Sequence, residues 1–345
     1  MTNSALIDLR SDTVTKPCGD MLKAMAAADV GDDVFSEDPT VALLEETLAE
    51  RSGQESGLFF PSGTQSNLVA LLTHCQRGDE YIVGQNAHTY KYEGGGAAVL
   101  GSIQPQPIEH DGDGTMPIEK IKAVIKPDDF HFARTKLLAL ENTIGGKIIP
   151  QSYISDTRKL ASQNKLVFHL DGARVFNAMV AQGVELDQIT RQFDSVSICL
   201  SKGLGAPVGS VLVSSKDVID QARRWRKMVG GGMRQAGILA AAGLFAIDNN
   251  VNGLEQDHLH AQRFAESMVD VPGIEVVGDS AHTNMVFLKT APEHSASFLT
   301  ACSAEGVLFT GGAQMRLVFH KDVSLEMTSN ASTIVQSVAE RLKLG

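Results

Sequence analysis

Short apolar runs alternate with amphipathic stretches between about residue 40 and residue 215, and this alternation narrows the fold more than any other feature of the chain. The runs are Gly57–Phe60, Glu80–Val83, Ala97–Leu100, Lys136–Leu140, Leu166–Leu170, Ser195–Leu200 and Ser210–Val213. Each has the length of a buried strand, whereas the segments between them carry helical spacing. The pattern predicts βαβ units and a largely parallel sheet. Helices are predicted over Thr40–Ser52, where Asp38-Pro39 supplies a start signal, and over Thr64–Arg77, Ile154–Asn164 and Lys216–Met228.

An alanine-rich helix over Gln235–Val251 runs into a polar stretch at Asn249–Gly253, which marks the expected boundary between a large domain (1–250) and a small α+β domain (251–345). In the second domain, helices are expected over Leu254–Val269 and Ser324–Leu344. Strands are expected over Ile274–Val277, Asn284–Leu288 and Gln314–Phe319. A chain of 345 residues has room for both domains.

Composition excludes several classes of function. The chain is 43% hydrophobic, yet no apolar run approaches the roughly 18–20 residues of a membrane span. Residues 1–16 carry charges and no apolar segment, so the cytoplasm is the expected location. A net charge of −11 opposes binding to nucleic acid, which depends on neutralising phosphates. Cys18, Cys75, Cys199 and Cys302 form no C-x-x-C pair, which argues for reduced thiols rather than a disulfide framework or structural zinc. The expected partner is a small molecule, with no metal.

Two strand ends carry unusual chemistry. Lys202 stands where the run ending at Leu200 gives way to a glycine-rich turn, Gly203-Leu204-Gly205. Asp171 ends the run Leu166–Leu170 and is followed by Gly172-Ala173-Arg174. Ligands of α/β sheets gather beyond the carboxyl ends of strands. An amine and a carboxylate at two such ends suit pyridoxal phosphate, with Lys202 as the Schiff-base lysine and Asp171 paired with the ring nitrogen. Asp171 as a helix cap, or as an ion-pair partner of Arg174, is the alternative.

Other residues extend this reading. Ser62-Gly63-Thr64 follows a strand and opens a helix, a cradle for phosphate or an ordinary cap. His88 lies just past the strand ending at Val83, where it can stack on a ring and move a proton, or serve as a hydrogen-bonded spacer. His131, within Asp128–Phe132, is the rival base. Arg316 interrupts an apolar strand and suits a substrate carboxylate or a salt bridge. His258 and His260 fall on different helix faces and read as solvated. The glycine runs Gly94–Gly96 and Gly230–Gly232 lack the dinucleotide spacing, which counts against a nicotinamide-dependent oxidoreductase.

The ordered set Asp8–Thr15, Gly31–Val34, Pro61–Thr64, His88, Glu141–Thr143, His169–Arg174 and Ser201–Pro207 resembles the L-threonine aldolases, the low-specificity and L-allo-threonine type, from about residue 6 to Phe319. The resemblance implies a fold-type-I, aspartate aminotransferase-like enzyme that binds pyridoxal 5'-phosphate and assembles as a tetramer of two dimers. Lys202 would carry the cofactor, Asp171 would pair with its ring nitrogen and His88 would stack on the ring. Ser62, Gly63 and Thr64 would hold its phosphate, and Arg174 would reach the cofactor or the substrate carboxylate. Ser11 and Arg316 would bind that carboxylate, while Tyr92 and His131 would border the substrate side chain. One departure is visible: Phe35 and Ser36 stand where the family commonly has tyrosine and glycine. The expected reaction is retro-aldol cleavage of L-threonine or L-allo-threonine to glycine and acetaldehyde, with β-elimination or transamination as rivals.

Overall fold

The structure is a computed structural model that describes residues 6–278 and 280–345, so the part of the leader expectation that falls on residues 1–5 lies outside it. The chain divides into two compact units. The larger comprises Pro17–Ser201 and Ala206–Asp248; the smaller comprises Met1–Lys16, Lys202–Gly205 and Asn249–Gly345. The first strand, β1 (Ile7–Asp8), belongs to the smaller unit.

Seven strands build the sheet of the larger unit: β2 (Ser56–Phe60), β3 (Asp79–Gly84), β4 (Gln104–Ile108), β5 (Arg134–Glu141), β6 (Val167–Gly172), β7 (Ser195–Cys199) and β8 (Ser210–Ser214). Their order is β2-β8-β7-β6-β5-β3-β4. Pairs from β4 across to β7 are parallel, and β8 runs antiparallel to both β7 and β2. The reversal follows from chain length. Only residues 200–209 link β7 to β8, and a parallel crossover needs about a dozen residues or more.

Two expectations need correction at the sheet edge. Ala97–Leu100 is helical, within Gly96–Gly101, because Gly95 and Ser102 adopt left-handed conformations (φ 70° and 51°) and bracket a single short helix. The edge strand is instead Gln104–Ile108, whose Pro105 and Pro107 lack the backbone donor that an inner strand would need.

Helices cover the sheet through apolar faces. The helix Gly63–His74 places Val69 and Ala70 against Leu58, Phe60 and Leu212, where Ile219 and Ala222 of the helix Lys216–Met228 join them. Its Leu71 and Leu72 pack in a second cluster with Tyr81, Val83 and Leu137. Full burial of side chains of this size contributes about 1.5–3 kcal/mol each. Asp38 caps the helix Pro39–Arg51 by accepting from the amides of Thr40 and Val41.

A buried ion pair ties the helix Lys216–Met228 to the turn Asp33–Phe35 and to β2. Arg226, 3% exposed, donates to Asp33 Oδ2 at 2.7 Å and to the carbonyl of Phe59 at 2.8 Å. Removing the guanidinium leaves Asp33 as a buried charge without its counter-ion, a change that typically costs ~3–5 kcal/mol. Arg226→Met is therefore expected to lower the unfolding free energy by that amount, read as a lower denaturant midpoint. An unchanged midpoint would show that Asp33 gains solvent or protonates without penalty.

The smaller unit pairs β1 in parallel with β11 (Val307–Leu308), and orders β12 (Met315–Val318), β10 (Met285–Lys289) and β9 (Glu275–Val276) in an antiparallel sheet. Phe264, Phe298, Phe309 and Phe319 fill its core with Val335 and Val338 of the terminal helix Leu325–Leu342. Two histidines need correction here: His258 and His260 are half-buried rather than solvated, and burial lowers both, His258 to about 4. No helix among the described residues is long and apolar enough to cross a membrane.

Candidate active site

In the larger unit, three parallel strands end side by side. Glu141 closes β5, Asp171 is the last residue but one of β6, and Gly84 closes β3; Glu141 and Asp171 are register partners. The short helix His88–Lys91 is seated on this edge by the His88 amide, which donates to Glu141 Oε2 at 2.7 Å. The Asn142 amide donates to the Asp171 carbonyl at 3.0 Å, and the Arg174 amide to the Asn142 carbonyl at 3.2 Å. The backbone after β5 and the backbone after β6 are thus stitched together at these strand ends.

The side chains converge in the same place. Asp171 is 4% exposed; its Oδ1 accepts from the Ala173 amide at 3.0 Å and its Oδ2 from Asn67 Nδ2 at 2.8 Å. Asn67 Nδ2 also donates to Glu93 Oε1 at 3.1 Å, and that oxygen lies 2.8 Å from His88 Nδ1. Ligand-type atoms of His88, Glu93 and Asp171 all lie within 4.8 Å of one another. Burial pushes the Glu93 carboxyl up, with the His88 hydrogen bond opposing and the Asp171 charge adding to the rise.

Sequence reasoning found His88 and Asp171 here and missed Glu93, Asn67 and Glu141. The available signal was weak. Glu93 follows His88 by five residues and precedes a glycine run, and Asn67 lies one turn inside the helix that Ser62 caps. Ser62 accepts from the Gln65 amide at 3.2 Å, and Gly63 and Thr64 open the first turn of this helix, whose N-terminal amides favour an anion. Arg174 precedes the helix Val175–Gln182 at its N-cap position and is half-buried. Tyr92 is 62% exposed, with its ring centroid 5.8 Å from that of His88. His131 is exposed and bonds within its own loop, to Asp129 Oδ1 at 2.7 Å.

The smaller unit holds the remaining predicted residues. The carbonyl of Lys202 accepts from Thr15 Oγ1 at 2.8 Å and from the Gly205 amide at 2.9 Å, which closes the turn. Gly205 has φ 78°, in the left-handed region that favours glycine, and a Cβ there would also displace the end of the Lys321 side chain. Ser11 accepts from the Thr13 amide at 3.2 Å, and Arg316 Nη2 donates to the carbonyl of Arg10, the residue before Ser11, at 3.2 Å. The two expected carboxylate binders thus lie one residue apart across β12 and the N-terminal segment.

Asp257 packs behind the Lys202 turn; its Oδ2 lies 4.0 Å from the position of a Cβ on Gly203 and has no hydrogen-bond partner. Burial, and then the charge of Asp12, pushes its carboxyl up to about 8. The unfolded chain loses this proton near the ordinary carboxylate value, whereas the folded chain keeps it to about 8. The folded state therefore binds more protons between those values, and Asp257 costs increasing stability as pH rises through that window. Asp257→Asn should raise the melting temperature more at about pH 8 than at about pH 5. An equal gain at both would contradict the shift.

The departure at Phe35-Ser36 also has a structural reading. Ser36 ends the turn Asp33–Phe35 at φ 59°, in the left-handed region where glycine is favoured, and Phe35 is 70% exposed.

The chain matches the beta-eliminating lyase family over residues 8–291. It is 54% identical over 327 residues to the low specificity L-threonine aldolase of Escherichia coli K12, covering 95% of this chain and 97% of that one. It is 41% identical over 332 residues to low-specificity L-threonine aldolase 1 of Arabidopsis thaliana, covering 92% of each. Among solved structures, the threonine aldolase of Leishmania major superposes with a TM-score of 0.80 at 21% identity, covering 97% of this chain and 99% of that one. Strand-end carboxylate, glycine-closed lysine turn and close relatives agree: the chain belongs to the low-specificity L-threonine aldolases, within the beta-eliminating lyase family.

Proposed function

We propose that this protein cleaves L-threonine and L-allo-threonine, and related L-β-hydroxy-α-amino acids, to glycine and an aldehyde, with Lys202, Asp171 and His88 as the residues that carry the reaction. The observation that bears most weight is the convergence of His88, Glu93 and Asp171 within 4.8 Å at the carboxyl ends of β3, β5 and β6.

Pyridoxal 5'-phosphate is the family's cofactor, and the residues present fit it. Asp171 is a buried carboxylate of the kind that a protonated ring nitrogen needs. Ser210 Oγ is buried without a hydrogen-bond partner, 3.3 Å from where a Cβ on Gly63 would stand, so glycine and hydroxyl leave polar room at the helix start. When bound, the cofactor supplies an electron sink for the bond that breaks at the substrate Cα.

The protein's own groups do the rest. Lys202 supplies the amine that holds the cofactor and yields to the substrate amine. Ser62, Gly63 and Thr64 receive the phosphate, and Ser11, Arg174 and Arg316 receive the substrate carboxylate. His88 Nδ1–H donates to the Glu93 carboxylate, which leaves Nε2 as the basic nitrogen for the β-hydroxyl proton. Tyr92 and His131 border the substrate side chain, His131 being the rival base.

His88→Ala is expected to lower turnover by ~10²–10⁴-fold while the protein keeps its bound cofactor, checked by steady-state kinetics and the absorbance of the purified variant. Unchanged turnover would move the base role to another residue. For the reaction itself, incubation with the four threonine stereoisomers should release aldehyde and glycine from the L-isomers; ammonia and a keto acid would instead establish β-elimination or transamination.

The reading includes assembly as a tetramer of two dimers in the cytoplasm. Val99 and Leu100, 75% and 61% exposed on the helix Gly96–Gly101, support burial by another copy. Sedimentation velocity giving a monomer would overturn it.

A further inference from the structure

Behind Asp171, a chain of buried polar groups runs through the core of the larger unit. Asn67 Nδ2 reaches Asp171 Oδ2 at 2.8 Å and Glu93 Oε1 at 3.1 Å. Asn67 Oδ1 lies 3.3 Å from His169 Nε2, and His169 Nδ1 lies 2.8 Å from Ser195 Oγ. That same oxygen lies 2.9 Å from His74 Nε2. Asn67 is 2% exposed, and His169 and Ser195 are fully buried. Burying polar groups is costly unless each finds a partner, and here each partner is another member of the chain.

The hydrogen-bond directions along this chain are coupled. Both N–H bonds of the Asn67 amide must face Asp171 and Glu93, because the opposite amide orientation would press Oδ1 against two carboxylates. Asn67 Oδ1 then accepts, and the lock requires the His169 proton on Nε2, with Nδ1 accepting from the Ser195 hydroxyl. Ser195 Oγ in turn accepts from His74 Nε2–H. Every donor along the chain therefore points toward Asp171. Burial keeps both rings neutral, with His169 lowered to about 3 and His74 to about 4.

We propose that Asn67, His169, Ser195 and His74 are positioning residues that lock the amide donor onto Asp171 and so fix the carboxylate that pairs with the cofactor ring. The proposal rests on the reading of Asp171 as the ring-nitrogen partner. A hydrogen bond to a charged group is worth about 1.5–3 kcal/mol, so loss of the lock should be felt at Asp171 as a roughly 10–100-fold effect.

Three measurements test it. In cofactor-free protein, ¹⁵N-resolved NMR should find His169 and His74 both neutral and protonated at Nε2; a proton on Nδ1 of His169 would overturn the proposal whatever the cofactor does. His169→Gln keeps a donor where Nε2 stood, and His169→Leu removes it at similar volume. The leucine variant should lose roughly 10–100-fold in kcat with little change in KM, and bind added pyridoxal phosphate more weakly. The glutamine variant should recover most of both. Equal losses in the two variants, or a better leucine variant, would mean that His169 only packs. Should wild-type protein fail to take up pyridoxal phosphate, the assignment of Asp171 fails instead, and the NMR result still decides the lock.

Discussion

On the proposed reading, Lys202→Ala is expected to abolish turnover, by roughly 10³-fold or more, since it removes the amine assigned to join cofactor to protein and to exchange with the substrate. The fold should survive the change. What holds the turn is the Lys202 carbonyl, which Thr15 and Gly205 engage and the substitution leaves in place. Matching melting curves alongside lost aldehyde release would locate the defect in chemistry. Added small amines restoring part of the activity would strengthen the assignment, and a variant with wild-type turnover would refute it.

Asp171→Ala should produce the second large effect. The carboxylate is buried with donors on both oxygens, so its removal strands the Asn67 amide; on the proposed reading it also takes away the counter-charge of the ring nitrogen. Breaking a buried charged contact costs ~3–5 kcal/mol, which corresponds to roughly 10²–10⁴-fold. The loss should divide between weaker cofactor retention and slower turnover. Titration of apo-protein with pyridoxal phosphate, followed by kinetics at saturation, separates the two. Full activity with full retention would show that the carboxylate serves only the backbone after β6.

The sequence carried the parallel core of the sheet plainly, because β3, β5, β6 and β7 are buried runs separated by helix-length segments. It hid the β4 edge. Ala97–Leu100 is as apolar as a strand, and only the left-handed caps at Gly95 and Ser102 make it a helix. Gln104–Ile108 pairs as a strand despite two prolines, which an edge tolerates. Strand-end position singled out Asp171 and His88 as candidates, since a charged or basic group after a buried run is out of place there. Glu93 and Asn67 were not legible in the same way. Asn67 meets Asp171 across 104 residues and His169 across 102, and no local pattern reports contacts of that range. Ser36 illustrates the converse: its departure from the family's glycine was visible in sequence, while the reason, φ 59°, belongs to the folded backbone.

The covalent link at Lys202 is the claim on which the functional account rests, and mass spectrometry tests it directly. Holoenzyme reduced with borohydride and digested should yield the peptide containing Ser201-Lys202-Gly203 with a phosphopyridoxyl group on Lys202. Absence of any adduct, or an adduct confined to another lysine, would contradict the account.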